Sequence, residues 1–323
     1  MRQLPIAARQ LGLALFFTVS CAAQQPPVTA AGQTPAQAPP QAPAQPAPKP
    51  VDPQAVGVLP NRDGSLKFMV IGDMGTGDRG QYDTATQMFT QYQRFKFKMS
   101  VMVGDNMYGS QRPADYTRKF EQPYGPLLKA GVKFYAALGN HDEREQRLYS
   151  NFNMNGKYYY SMKAPDEDVR FFFLESTYPD EAQLKWIDTE LGNAKEKWKI
   201  VVFHHPLYSS AGRHGSSIPL RKVWEPLFIK HNVSVAFNGH DHTYERVKPQ
   251  NGIVYFVVGS SGKLAPGDLR NNAPLTASGF DTDQTFLLVE IDEDVMYFQA
   301  VSRTGRVVDS GTWTRRFTAD EKK

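Results

Sequence analysis

Short runs of apolar residues recur along the chain from about residue 66 onward, and several of them end at a glycine. Runs of four to six apolar residues that are bounded by turn residues are typical of buried strands. In the first part of the chain the predicted strands are Leu66–Ile71, Phe97–Met102 before Gly104, Lys133–Leu138, Lys199–Phe203 and Val233–Phe237. Between them, amphipathic spacing predicts helices at Tyr82–Phe95, Asp115–Ala130, Asp180–Ala194 and Ile218–His231. Tyr158–Met162 and Arg170–Leu174 are predicted to form a β-pair.

The character of the chain changes near residue 250, because strand patterns then follow one another with hardly a helix between them. The predicted strands of this part are Ile253–Val258, Thr285–Ile291, Val295–Val301 and Arg306–Thr312. Residues 262–284 are predicted to form a long loop. The whole pattern predicts an α/β fold, either two sheets packed face to face with helices outside or one mixed sheet with a β-rich C-terminal half.

Residues that commonly bind metal ions follow five of the apolar runs. They are Asp73, then Asp105 and Tyr108, then Asn140, His141 and Asp142, then His204 and His205, and finally His240, Asp241 and His242. Open α/β sheets carry their chemistry at the carboxyl ends of strands. Six of the seven histidines lie in or near these turns, which core packing does not predict.

Asp105 and Tyr108 have the most informative chemistry of these residues. The two oxygens of a carboxylate can bind two ions at once, and a phenolate is a hard ligand that suits a highly charged ion. Tyr108 lies three residues after Asp105, about one helical turn, so we expect both side chains to face the same way.

The charge balance and the single cysteine narrow the function classes. The chain has 323 residues and a net charge of +4 without a basic block, which argues against a nucleic-acid partner. Cys21 is the only cysteine, so neither an intramolecular disulfide nor a thiolate zinc site is possible. Any metal must therefore be bound by Asp, Asn, His and Tyr.

The first residues have the pattern of an export signal. Arg2 and Arg9 precede an apolar run over residues 11–19. This run is too short to span a bilayer comfortably, so residues 1–20 are predicted to be a signal peptide. Cys21 stands where the bacterial lipoprotein box places its lipidated cysteine, and the alternative is a secretory peptide with an incidental cysteine. The prediction is an exported lipoprotein, membrane-anchored in the periplasm or at the cell surface, and otherwise periplasmic or secreted.

Residues 21–57 follow as a tether that is rich in Ala, Pro and Gln and cannot bury a core. The predicted catalytic domain then covers residues 58–316, and residues 317–323 form a tail.

Taken in order, the five blocks resemble the signature of metallophosphoesterases, and Tyr108 narrows the resemblance to the purple acid phosphatases. The resemblance covers about residues 65–312. It implies a four-layer αββα sandwich in which two mixed sheets pack together between helices. It also implies a metal-dependent acid phosphatase that cleaves phosphate monoesters of small substrates by in-line attack of a metal-bound hydroxide.

The same resemblance implies a role for each residue. A ferric ion would be held by Asp73, Asp105, Tyr108 and His242, and a divalent ion (iron, zinc or manganese) by Asp105, Asn140, His204 and His240. Catalytic roles would fall to His141 and His214, either of which would give a proton to the leaving group.

Three neighbouring residues receive expectations of their own. Asp142 is expected to orient His141 by a hydrogen bond. In an extended chain neighbouring side chains alternate in direction, so His205 is expected to point away from the ligand His204 and to be structural or to line the pocket. Asp241 is expected to face solvent or a loop.

Two other functions remain open at this point. One is a phosphodiesterase or nucleotidase with the same metal centre, since Tyr108 does not distinguish monoesters from diesters. The other is a non-catalytic surface lipoprotein that only binds metal, against which the complete set of ligands argues.

Overall fold

Two mixed β-sheets pack against each other in the fold, and helices cover their outer faces. A computed structural model describes residues 59–165, 168–270 and 272–317. In chain order the strands are β1 Leu66–Ile71, β2 Met99–Met102, β3 Lys133–Ala136, β4 Tyr160–Lys163, β5 Val169–Phe173, β6 Trp198–Val202, β7 Val235–Asn238, β8 Tyr244–Val247, β9 Val254–Val258, β10 Thr276–Phe280, β11 Thr285–Asp292, β12 Val295–Ser302 and β13 Val307–Thr314. This architecture confirms the predicted sandwich of two mixed sheets.

The helical segments are short apart from three. They are α1 Arg79–Phe95, α2 Pro113–Tyr116, α3 Gly125–Lys129, α4 Glu181–Asn193 and α5 Ile218–Lys230, with a π-helical turn at Thr117–Glu121 and 3₁₀ turns at Arg144–Leu148 and Ser150–Phe152. The side chains of Asp78 and Asp180 cap the amino termini of α1 and α4 by accepting a backbone hydrogen bond.

Strand order explains where side chains from distant parts of the sequence meet. The first sheet has the order β13-β12-β11-β1-β2-β3, and the second has the order β10-β8-β9-β7-β6-β5-β4. The neighbours β1, β2 and β3 are parallel, as are β5, β6, β7 and β9. Parallel neighbours end at the same edge of a sheet, so the turns after these strands collect there.

Aromatic side chains fill the space between the two sheets. The ring of Phe68 in the first sheet lies 5.2 Å from that of Phe171 and 6.0 Å from that of Phe237 in the second sheet. A separate apolar cluster lies between the second sheet and helices α4 and α5, where Trp224 packs edge-on against Phe203. These contacts hold both sheets in a fixed relation, which the site at their edges requires.

The predicted helix at Asp115–Ala130 was wrong. The chain forms α2, a π-helical turn and α3 in its place. Pro123 and Pro126 explain the break, because a proline inside a helix removes a backbone hydrogen bond and clashes with the preceding turn.

The prediction of a long loop over residues 262–284 was also wrong in part. Strand β10 lies within it and pairs with β8, another strand that the sequence pattern did not reveal. The burial of β10 alternates between partly buried and exposed, as expected for a strand at the edge of a sheet.

The predicted signal peptide and the whole predicted tether lie outside the described residues, as does most of the predicted tail. Near the start of the described chain, the buried carboxylate of Glu290 accepts hydrogen bonds from the backbone amides of Asn61 and Arg62. Within the described ranges, no helix has the length and apolar character needed to cross a membrane.

Candidate metal centre

Three of the predicted metal ligands adopt an uncommon backbone conformation. Asp73, Asp105 and His240 have φ values of 52°, 49° and 71°, in the left-handed region that side chains other than glycine seldom adopt. Each follows a glycine and comes two or three residues beyond the end of a parallel strand. Such strained positions persist where the surrounding structure fixes them, and they concentrate at functional sites.

One group of donor atoms gathers around the hydroxyl of Tyr108. This hydroxyl donates a 2.8 Å hydrogen bond to Oδ1 of Asp73 and lies 3.1 Å from Nε2 of His242. Donor atoms of Asp73, Asp105 and His242 all lie within 4.8 Å of one another. The structure therefore brings together the four residues that the resemblance assigns to the ferric ion.

A second group gathers around Nε2 of His204. This nitrogen lies 3.1 Å from Oδ1 of Asn140, 3.2 Å from Nδ1 of His240 and 3.4 Å from Oδ1 of Asp105. Asp105 thus borders both groups. These are the four residues that the resemblance assigns to the divalent ion.

Backbone groups orient the donors. Nδ1 of His204 lies 3.1 Å from the carbonyl oxygen of Val103, which makes this nitrogen the donor and leaves Nε2 as the free lone pair. The amide of His141 donates to Oδ1 of Asp105 at 2.9 Å, and the amide of His240 donates to Oδ2 of Asp73 at 3.0 Å.

Two glycines allow these carboxylates to approach the backbone. A Cβ atom at Gly139 would lie 2.2 Å from Oδ1 of Asp105, and one at Gly239 would lie 2.5 Å from Oδ2 of Asp73. Both distances are far below a normal contact, so each glycine leaves the space that a carboxylate occupies.

The electrostatics of the donors suit bound cations. Burial raises the pKa of Tyr108 far above its ordinary value, and the carboxylates of Asp73 and Asp105 raise it further. Burial alone would lower the pKa of His204, but the carboxylate of Asp105 outweighs it and raises that pKa to about 9. Burial and the neighbouring His204 lower the pKa of His240 to about 2, so its ring is neutral. Tyr108 and His204 thus keep their protons beside the carboxylates of Asp73 and Asp105, and a cation bound in place of these protons would invert the pKa shifts.

The two predicted catalytic histidines lie beside the donors on the exposed side of the site. The ring of His141 is 4.8 Å from that of Tyr108, and the ring of His214 is 4.2 Å from that of His240. Both residues are exposed. They can therefore contact a substrate that approaches from solvent.

The expected hydrogen bond between Asp142 and His141 is wrong. The carboxylate of Asp142 accepts hydrogen bonds from the backbone amides of Asn106, Met107 and Gly139 at 2.8–3.0 Å. It therefore ties the turn that carries Asp105 and Tyr108 to the turn that carries Asn140. Asp142 thus supports the neighbouring turns through their backbone amides and not through the ring of His141.

The structure contradicts the expected direction of the His205 side chain, and it shows that Asp241 faces a loop and not solvent. The ring of His205 lies 4.3 Å from that of His240, and its donor nitrogen lies within 4.8 Å of those of His204 and His240. Side chains alternate in direction only along a strand, and β6 ends at Val202, before His204 and His205. Asp241 is fully buried and accepts a hydrogen bond from the amide of Gly215.

Sequence reasoning missed Lys119, whose buried ammonium holds the turn after Asp105. Its Nζ donates to the carbonyl of Tyr108 at 2.7 Å and to that of Ser110, and lies 3.4 Å from the carboxylate of Asp115. The turn itself is not helical, contrary to the expectation for Tyr108. Lys119 lies in the π-helical turn, a rare geometry that is frequent at functional sites.

The chain is similar to known phosphoesterases. A family model described as calcineurin-like phosphoesterase matches residues 66–244, more than half of the chain. Purple acid phosphatase 17 of Arabidopsis thaliana is 28% identical over 237 residues, which cover 63% of this chain and 70% of the plant protein.

Solved structures show the same fold. Purple acid phosphatase PPD1 from yellow lupin seeds has a TM-score of 0.65 at 21% identity, and the match covers 80% of this chain but only 55% of the lupin enzyme. A Plasmodium protein described as GAP50, the anchor in the inner membrane complex, also has a TM-score of 0.65, at 20% identity, with coverage of 79% and 90%.

Replacement of Lys119 by Met should destabilise the protein by about 3 kcal/mol. The substitution leaves buried carbonyl oxygens and the Asp115 carboxylate without their charged donor, and hydrogen bonds to charged groups contribute about 1.5–3 kcal/mol each. The free energy of unfolding in urea measures the effect. Lys129→Met in α3, where the lysine is exposed, is the matched control. Equal unfolding free energies for the two variants would contradict the role given to Lys119.

Proposed function

Because this chain belongs to the calcineurin-like phosphoesterase family, we propose that it hydrolyses phosphate monoesters at a binuclear metal centre, as an acid phosphatase of the purple type. The observation that supports this most is the hydroxyl of Tyr108, which lies within hydrogen-bonding distance of Asp73 and His242. Asp73, Asp105 and the ionised phenol of Tyr108 offer three anionic oxygens. Such a set suits a hard trivalent ion such as Fe(III).

Each ion would have its own set of ligands. Asp73, Asp105, Tyr108 and His242 would hold the ferric ion. The divalent ion (iron, zinc or manganese) would be held by Asp105, Asn140, His204 and His240. Two bound ions supply Lewis acidity that stabilises charge on the attacking and leaving oxygens of a phosphoryl group.

The chain's own residues carry the remaining work. Asp105 joins the two halves of the centre, and the amide of His141 holds its carboxylate in place. The exposed imidazoles of His141 and His214 flank the donors, so either can give a proton to the leaving alkoxide. Phosphoryl transfer needs little beyond positioning and charge neutralisation, which matches a site built from fixed donors.

A non-catalytic role is the alternative. The Plasmodium protein of the same fold is described as an anchor, so the fold alone does not guarantee hydrolysis. Here the seven predicted metal ligands contact one another in two adjoining groups, and two histidines remain on the exposed side. A site that only binds metal does not need two exposed histidines beside its ligands, so hydrolysis is favoured.

The purified protein, loaded with iron and a divalent metal, should be purple or pink and should hydrolyse p-nitrophenyl phosphate. Tyr108→Phe should remove the visible absorption band and lower kcat/KM at least about tenfold, because the ferric ion loses its phenolate ligand. Removal of the metals by a chelator should abolish both signals. Tyr135→Phe, on β3, is the control that should keep colour and activity. A band that persists in Tyr108→Phe would assign the phenolate to another residue.

For the first part of the chain we propose export and lipidation, with residues 1–20 as signal peptide, Cys21 as the lipidated residue and residues 21–57 as the tether of a domain that covers residues 58–316. Two acyl chains on one cysteine bind a membrane stably. The alternative is a periplasmic or secreted enzyme without a lipid.

Expression in a bacterial host tests this proposal. The wild-type protein should sediment with membranes, and mass spectrometry of its first residues should show an acylated cysteine. Cys21→Ser should move the protein to the soluble fraction without changing the activity of the domain. Equal membrane association of both forms would argue against lipidation.

A further inference from the structure

The segment that follows β9 lies against two of the metal-binding turns. The amide of Lys263 donates to the carbonyl of Asp73 at 2.8 Å, and the amide of Ala265 donates to the carbonyl of His242 at 3.0 Å. A Cβ atom at Gly262 would lie 2.1 Å from the carbonyl oxygen of Met74, so the segment packs directly on the backbone of the first turn. The backbone of Lys263 is therefore fixed beside the predicted ferric site.

The side chain of Lys263 turns toward Tyr108. Its Nζ lies 4.7 Å from the centre of the Tyr108 ring, within the range of a cation–π interaction. The ring of His141 contacts the same tyrosine at 4.8 Å. The ammonium of Lys263 and the imidazole of His141 thus both lie beside the ring of Tyr108, whose hydroxyl is a predicted metal ligand.

No carboxylate neutralises this lysine among the residues that the structure describes: none lies within 4.0 Å of Nζ of Lys263. The side chain is partly exposed. Lys119, by contrast, is buried and its charge pairs with Asp115. Lys263 thus presents a charge to an incoming anion, whereas Lys119 has a structural partner.

The charge of the substrate determines how strongly such an ammonium acts. The second pKa of a phosphate monoester is about 6, so near neutral pH the monoester carries almost two negative charges. A phosphate diester carries one. Coulombic attraction scales with charge, and lysine binds phosphate as a point charge. An additional fixed cation therefore favours the monoester.

We propose that Lys263 is a substrate-binding residue whose ammonium contacts a phosphate oxygen and makes the site prefer dianionic phosphate monoesters over diesters. The inference rests on the hydrolytic function proposed above and adds the group that selects between the two classes of ester. The geometry that carries it is an ammonium that lies against the ring of a predicted metal ligand and has no carboxylate partner in the described part of the chain.

Three variants of the full-length, metal-loaded protein test the proposal. Lys263→Met removes the charge but keeps an unbranched side chain of similar length, and Lys263→Arg keeps the charge. Lys185→Met removes the same charge from an exposed position on α4 and serves as the matched control. Thermal unfolding and metal content identify any variant that fails to fold or to bind metal.

Steady-state kinetics at neutral pH, where the monoester is a dianion, with p-nitrophenyl phosphate and with bis(p-nitrophenyl) phosphate measures the selectivity. We expect Lys263→Met to lower kcat/KM for the monoester about 10- to 100-fold, because an electrostatic contact in a catalytic site has effects of this order. For the diester, which carries half the charge, the loss should be about 3- to 10-fold, because half the interaction energy gives the square root of the fold-change. Lys263→Arg should stay within a few-fold of wild type for both esters, and Lys185→Met should match wild type.

Binding of inorganic phosphate, measured by calorimetry, gives a readout that does not depend on turnover. Lys263→Met should weaken it by about tenfold, whereas the visible absorption band should stay at its wild-type wavelength. Equal losses for both esters, or unchanged phosphate binding, would overturn the proposal. So would a shifted band with an unchanged ester ratio, because the lysine would then act only on the Tyr108 ring.

The outcomes also separate this inference from the proposed function. A metal-loaded wild-type protein that cleaves neither ester would contradict the hydrolytic function. In that case phosphate binding by wild type and by Lys263→Met still decides whether Lys263 contacts a phosphate.

Discussion

The buried carboxylate of Asp105 is the constraint on which the site depends, because it borders both groups of donor atoms. Its Oδ1 lies 3.4 Å from Nε2 of His204, and one of its oxygens lies within 4.8 Å of donor atoms of Asp73 and His242. A buried carboxylate is costly unless it is hydrogen bonded and its charge is compensated. The amide of His141 donates a hydrogen bond to this carboxylate, which fits beside the backbone because Gly139 has no side chain. Bound cations would compensate its charge.

The two sheets contribute different chemistry to this centre. The turns after β1, β2 and β3 of the first sheet bring the oxygen donors, which are Asp73, Asp105, Tyr108 and Asn140. The turns after β6 and β7 of the second sheet bring the nitrogen donors, which are His204, His240 and His242. Packing of the sheets therefore assembles the site, and the aromatic contacts of Phe68 with Phe171 and Phe237 fix the distance between oxygens and nitrogens.

Most of the strands and the ligand residues could be read from the sequence, because every ligand lies within five residues after a short apolar run. Contacts between distant residues could not. Asp142 acts on the amides of Asn106 and Met107, about 35 residues earlier, and no local pattern reveals such a bond. Strand β10 was missed because it is only half buried and pairs with another short strand about 30 residues away. Lys119 was hidden for a similar reason, since a π-helical turn between prolines has no simple periodicity.

A crystal structure of the protein loaded with iron and a divalent metal, with anomalous diffraction recorded at each absorption edge, tests the account most directly. The account predicts two ions about 3.5–4 Å apart, with Asp105 in contact with both, Tyr108 bound to iron alone, and Asn140 bound to the other ion. A single ion, or ions that leave Asp105 without a metal contact, would contradict it.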